Sequence, residues 1–85
     1  MRILETSKFR KLRKKLIEDA EKEALEAAVL KVIKDPQAGK KLKGDFAHLR
    51  SYRYAVKGQA RHLIYKLEND SIVFFSFGPR QANYK

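Results

Sequence analysis

The residues able to do chemistry are concentrated in the C-terminal half of this sequence. The segment "RSYRYAV" interleaves Arg50 and Arg53 with Tyr52 and Tyr54, and "ARHLIYKLE" follows with Arg61 and His62 side by side. Both segments read as strands, in which successive side chains point to opposite faces. That rule puts Arg53 with Ser51 and Ala55 and sends Tyr52, Tyr54 and Val56 the other way. It also groups Arg61, Leu63 and Tyr65 on one side and His62, Ile64 and Lys66 on the other. The more apolar side is the one that helices cover. Arg61 then falls at the edge of the covered face, and His62 lies beside Arg53 on the open one. A single bulge would exchange the faces.

Arginine next to histidine on an open sheet face suits phosphate chemistry. Cleavage of RNA by its own 2′-hydroxyl needs one group to take the hydroxyl proton and another to protonate the leaving 5′-oxygen. It also needs cations to hold charge on the five-coordinate phosphorus. The rigid guanidinium fork fits the last task. An imidazole titrating near neutrality fits either proton transfer, and a tyrosine donates a proton or stacks on a base. The plainer reading of His62 is an ordinary strand histidine, and His48 is assigned no role. Beyond the last apolar run, the tail "GPRQANYK" adds Arg80 and Tyr84 after a Gly-Pro break.

Charge narrows the partner class. Twenty Lys and Arg against ten Asp and Glu leave +10 on a chain of 85 residues. The acids cluster in Glu18–Glu26, a stretch of net −4, so the rest carries +14. Such a field concentrates polyanions: nucleic acid first, then an anionic membrane or an acidic protein. The segment 8–15 offers Lys8, Arg10, Lys11, Arg13, Lys14 and Lys15, all of one sign where a merely solvated face would mix signs. The loop "PQAGKKLKGD" adds Lys40, Lys41 and Lys43, and Arg50 and Lys57 flank and follow the first strand of the pair. These are the candidate RNA-binding residues. There is no cysteine, and the two histidines do not sit among acids at ligand spacing, so neither a disulfide nor a metal is expected, nor any cofactor. No run approaches the ~20 apolar residues of a membrane span. A cytoplasmic protein without a membrane partner is the expectation.

The elements that position these residues follow from periodicity. "MRILETSK" opens as a short strand. Phe9, Leu12 and Leu16 recur at helical spacing with Ser7 as N-cap, which gives an amphipathic helix with a basic outer surface. In "EDAEKEALEAAVLKVIKDP", Leu25, Ala28, Val29, Val32 and Ile33 form one face of a second helix that Asp35-Pro36 ends. "KGQ" marks a hairpin turn and "END" another. "SIVFFSF" reads as a central strand covered on both faces. The expected fold is α+β, in the order β-α-α-β-β-β, with two N-terminal helices on one face of a small, mostly antiparallel, four-stranded sheet forming a single domain over 1–85.

These segments together resemble the RelE/ParE superfamily of type II toxin–antitoxin toxins. The carrying features are "DP…GKKLKGD" after the long helix, "YR" on the first hairpin strand, "HLIY" on the second, "GPR…Y" at the end, and "FRKLRKKL" as a first helix. The resemblance implies a β-α-α-β-β-β fold. It further implies one of two activities: ribosome-dependent mRNA cleavage, as in RelE-like members, or gyrase poisoning, as in ParE-like ones. A basic RNA-binding module without catalysis is the other alternative. Arg80 matches the arginine after the family's last strand, Tyr84 its terminal tyrosine, and Arg53 a basic position on the first hairpin strand. Ala55 stands where the RelE-like branch can carry a catalytic lysine, and His62 where arginine is usual, with Arg61 one place earlier. The resemblance thus nominates Arg53, Arg61 or His62, Arg80 and Tyr84 as catalytic. It implies the ribosome, mRNA and an acidic antitoxin as partners.

Overall fold

A computed structural model describes residues 1–79; Arg80 and Tyr84 lie outside the described residues. The elements run β1 (Arg2–Glu5), α1 (Ser7–Lys15), α2 (Asp19–Lys34), β2 (Lys40–Lys41), a 3-10 turn at Gly44–Phe46, β3 (Arg50–Val56), β4 (Gln59–Glu68) and β5 (Ser71–Gly78). They form one sheet in the order β1-β5-β4-β3-β2. β1 pairs in parallel with β5, and every other pair is antiparallel. The expected α+β order holds, with five strands instead of four. The additional strand, β2, is two lysines long and carries no apolar pattern. Its extended form comes from pairing Lys40 with Ser51 and Lys41 with Arg50 on β3, a tertiary contact with no local signal.

Both helices pack on one face of the sheet. Phe9 of α1, Leu25, Ala28 and Val32 of α2, and Leu63, Tyr65, Ile72, Phe74 and Phe77 of the strands make the core. Phe9 sits between Phe74 and Phe77, with ring centroids 5.6 and 5.3 Å away, the second contact edge-on. The predicted stripe of α2 is the buried one, with Val29 and Ile33 at its margin. The N-cap of α1 is Thr6 and not Ser7. Its hydroxyl accepts from the Phe9 amide and donates to the Phe75 carbonyl, so one side chain caps the helix and ties it to β5.

β5 is interior, but β4 is the central strand, and only one face of β5 is fully covered. Ile72 and Phe74 are buried under the helices, whereas Val73 and Phe75 are half-buried. A bulge accounts for the unbroken apolar run: Ile64 pairs with Ser76 and Tyr65 with Phe74, leaving Phe75 as the extra residue.

The loop after α2 is anchored to the sheet by one buried tyrosine. Tyr65 Oη accepts from the Gly39 amide at 2.8 Å and donates to the Pro36 carbonyl at 2.7 Å. A Cβ on Gly39 would lie 2.6 Å from that hydroxyl, so only glycine lets the loop approach this closely. Burial pushes the Tyr65 hydroxyl toward its neutral form. The loop that leads into β2 and its lysines is therefore held at the sheet.

Candidate functional site

Strand register assembles the site. Arg53 on β3 is the cross-strand partner of His62 on β4, and His62 is in turn the partner of Gly78 on β5. Directly paired residues project to the same face, so Arg53, His62 and Gly78 form one row across the sheet. The adjoining row on this face is Lys40, Ser51, Ile64 and Ser76. The face is the one the helices leave open, because Tyr52, Leu63 and Tyr65 take the alternate positions and join the core. Arg53 is exposed and His62 half-buried. Gly78 has φ 139°, a backbone region open to glycine, and Pro79 follows it at the end of the row.

Beside these rows is a groove of ≈ 740 Å³ lined by Lys40, Lys41, Lys43, Phe46, Ser51, Arg53 and His62, among others. Among the described residues, none of Lys40, Lys41, Lys43 and Arg53 has an acid within ion-pair reach. From Gln37 to Leu67 the sequence holds eight Lys or Arg and one acid, Asp45. The Ser51 hydroxyl is buried in this wall without a hydrogen-bond partner among the described residues. The groove thus presents cations without acidic partners among the described residues and an imidazole, a set suited to a phosphodiester. Sequence reasoning overlooked Phe46. Its signal was a single phenylalanine between Asp45 and Ala47, outside any apolar period, in a lysine-rich loop.

The family model that matches this chain, over residues 3–85, is that of the ParE-like toxins of type II bacterial toxin–antitoxin systems. The chain belongs to this family. Among solved structures, the intact Escherichia coli RelBE toxin–antitoxin complex contains a chain 20% identical, with a TM-score of 0.70 over 92% of this toxin and 94% of that chain. A copper-bound mutant toxin from Helicobacter pylori is 20% identical with a TM-score of 0.64, covering 95% and 96%. The solution structure of a conserved hypothetical protein from the same bacterium gives 20%, 0.61, 95% and 96%. These likenesses place the toxin in the RelE/ParE fold. No curated protein matches the sequence significantly.

Other candidates lie elsewhere on the toxin. Arg61 points to the helix face, where its guanidinium meets Glu21 of α2 at 3.1 Å. Burial, and then the Glu21 carboxylate, push the neighbouring Tyr54 hydroxyl up to about 12. Arg61 and His62 therefore face opposite sides of the sheet, and only His62 shares a face with Arg53. Arg50 is committed to the loop, donating to the Gly39 carbonyl and to Gln37 Oε1 at 2.7 Å each. Lys57, in the hairpin turn, pairs with Glu18 at 2.8 Å. Lys8, Arg10, Lys11, Arg13, Lys14 and Lys15 are exposed on α1, which packs on the covered face, so they form a surface separate from the groove. There, Arg13 and then Arg10 hold the Glu5 carboxyl below its usual range.

Proposed function

We propose that this toxin is an mRNA endonuclease that works on the ribosome in the cytoplasm and cuts by transesterification. The observation that carries the reading is the Arg53–His62 cross-strand pair, open to a groove whose cations have no acidic partners among the described residues. In the reaction the 2′-oxygen bonds to phosphorus as the P–O5′ bond breaks, which leaves a cyclic phosphate and a 5′-hydroxyl. One proton leaves O2′ and one reaches O5′. Arg53 holds the phosphoryl oxygens as charge builds on them. His62 makes one of the proton transfers. Arg80 follows Gly78 by two residues in the sequence and supplies a second guanidinium, and Tyr84 donates a proton or stacks on a base. Arg61 is left out of this assignment because of its pairing with Glu21. The exposed cations of α1 bind ribosomal RNA, a use for charge beyond what one phosphate requires.

The partner in the resting state is an acidic antitoxin. An apolar groove of ≈ 580 Å³ between β1, α1 and α2 supports this, since Ile3, Leu4 and Leu30 are left 44%, 39% and 51% exposed at its walls. The solved complex of a structurally similar toxin with its antitoxin agrees with such a partner.

Induction of the wild-type protein in growing cells is expected to produce mRNA cuts at codon boundaries, read by 5′-end mapping. Arg53→Ala is expected to abolish them. The ParE-like character of the matching family favours a second reading, gyrase inhibition by protein contact. Intact mRNA with accumulating double-strand DNA breaks would establish that reading in place of the first.

A further inference from the structure

The groove wall carries an exposed aromatic ring that phosphate chemistry does not explain. Phe46 stands at the tip of the loop between β2 and β3 and is 38% exposed, while the smaller Leu49 nearby is buried. Elementary packing would place the larger apolar ring inside. The loop holds it outside by its own hydrogen bonds. Leu42 N donates to Leu49 O at 3.0 Å and closes the base of the loop. Phe46 N donates to Lys43 O at 3.3 Å and Leu49 N to Phe46 O at 2.9 Å, which fixes the tip as a 3-10 turn. Gly44 makes the turn at φ +65°. The ring therefore lines the groove wall together with Lys43 of its own loop and Arg53 of β3.

An aromatic face set among cations is how proteins hold an unpaired base while its phosphates are neutralised alongside. Tyr52 also lines the groove, but its side chain packs against the core, whereas the Phe46 ring stands on the exposed loop. We infer that Phe46 is the stacking platform for a nucleotide next to the scissile phosphate, so that this groove accepts single-stranded RNA and discriminates against duplex. A base already stacked in a helix cannot meet the ring without being unstacked. The inference rests on the reading of the groove as an RNA site, but it concerns binding and is separable from cleavage.

The chain has no tryptophan, so Phe46→Trp introduces a single indole at the point in question. Titration of that variant with a short single-stranded RNA is expected to quench its emission saturably. A blunt duplex of the same sequence is expected to bind through phosphates without the quench. Fluorescence anisotropy of the labelled oligonucleotide is expected to show Phe46→Ala weakening single-strand binding by about 5- to 150-fold, the range for loss of one base stack. Phe46→Leu retains apolar volume without a π-face and is expected to bind as poorly as alanine, with an unchanged melting temperature. If leucine binds like wild type, Phe46 is a packing residue and the inference falls. Absence of saturable binding, or emission unchanged at saturation, overturns it as well. Loss of mRNA cleavage in Arg53→Ala together with wild-type binding by Phe46→Ala would leave the endonuclease standing and remove only the stacking role. Saturable quenching without cleavage by the wild type would do the reverse.

Discussion

At the scale of single residues, the placement of the groove lysines rests on a tyrosine that does not line the groove. Tyr65 is fully buried, and its hydroxyl satisfies a donor and an acceptor in the segment that leads to Lys40 and Lys41. Removing only that oxygen leaves the Gly39 amide and the Pro36 carbonyl without this partner, at a cost of about 1–3 kcal/mol for each group that water cannot reach. Tyr65→Phe is accordingly expected to lower stability by roughly that amount, seen as a shifted denaturant midpoint. It is also expected to weaken RNA binding at full occupancy of the folded state, because the lysines lose their anchor. Unchanged binding in a variant that is less stable would show that β2 holds the lysines in place through its pairing with Ser51 and Arg50 alone.

At the scale of elements, the arginine–histidine dipeptide on β4 is split between the two faces of the sheet. Arg61 goes under α2 and His62 to the open face, because adjacent residues on a strand cannot share a side. This much was legible: period two in "RSYRYAV" and "ARHLIYKLE" fixed which residues of the hairpin share a face. The helix stripe through Leu25, Ala28 and Val32 was equally plain, since burial demands the period seen. The illegible parts are those with long-range causes. β2 exists through pairing with β3, Phe75 is displaced by a bulge between β4 and β5, and Arg50 is hydrogen-bonded to Gly39 and Gln37, eleven and thirteen residues earlier. None of these leaves a pattern in its own segment. The division on β4 is testable. Arg61 and Glu21 are 17% and 22% exposed, so their pairing is worth more than that of a surface ion pair. Arg61→Ala is expected to lower the melting temperature by several degrees, since ~1 kcal/mol shifts a domain of this size by about 4–8 °C. Cleavage measured well below the transition is expected to stay near wild type. Cleavage lost from a folded Arg61→Ala would return Arg61 to the active site.

At the scale of the whole molecule, the acids and the bases are sorted by side. Glu5, Glu18 and Glu21 are spent on Arg10 and Arg13, Lys57 and Arg61, all tied to β1, the helices or the hairpin end. The groove face keeps Lys40, Lys41, Lys43 and Arg53 without such partners among the described residues. The molecule measures 33 × 27 × 23 Å, and the Debye length at physiological salt is ≈ 8 Å, so the α1 cations across the sheet are largely screened from a ligand in the groove. On the proposed function, a short single-stranded RNA is therefore expected to respond to the groove cations alone. Each phosphate neutralised contributes about −0.7 to the slope of log K against log salt. Engagement of all four groove cations gives a slope of about −3, and the paired substitution Lys40→Ala/Lys43→Ala is expected to make it shallower by about 1.4. Lys11→Ala/Lys14→Ala removes as much charge from α1 and is expected to leave the slope unchanged. Anisotropy titrations with a hexanucleotide across a salt series separate the two. Equal shallowing by both pairs would mean that RNA binds the molecule's net charge and not this groove, whereas loss confined to the first pair ties binding to the surface that carries Arg53 and His62.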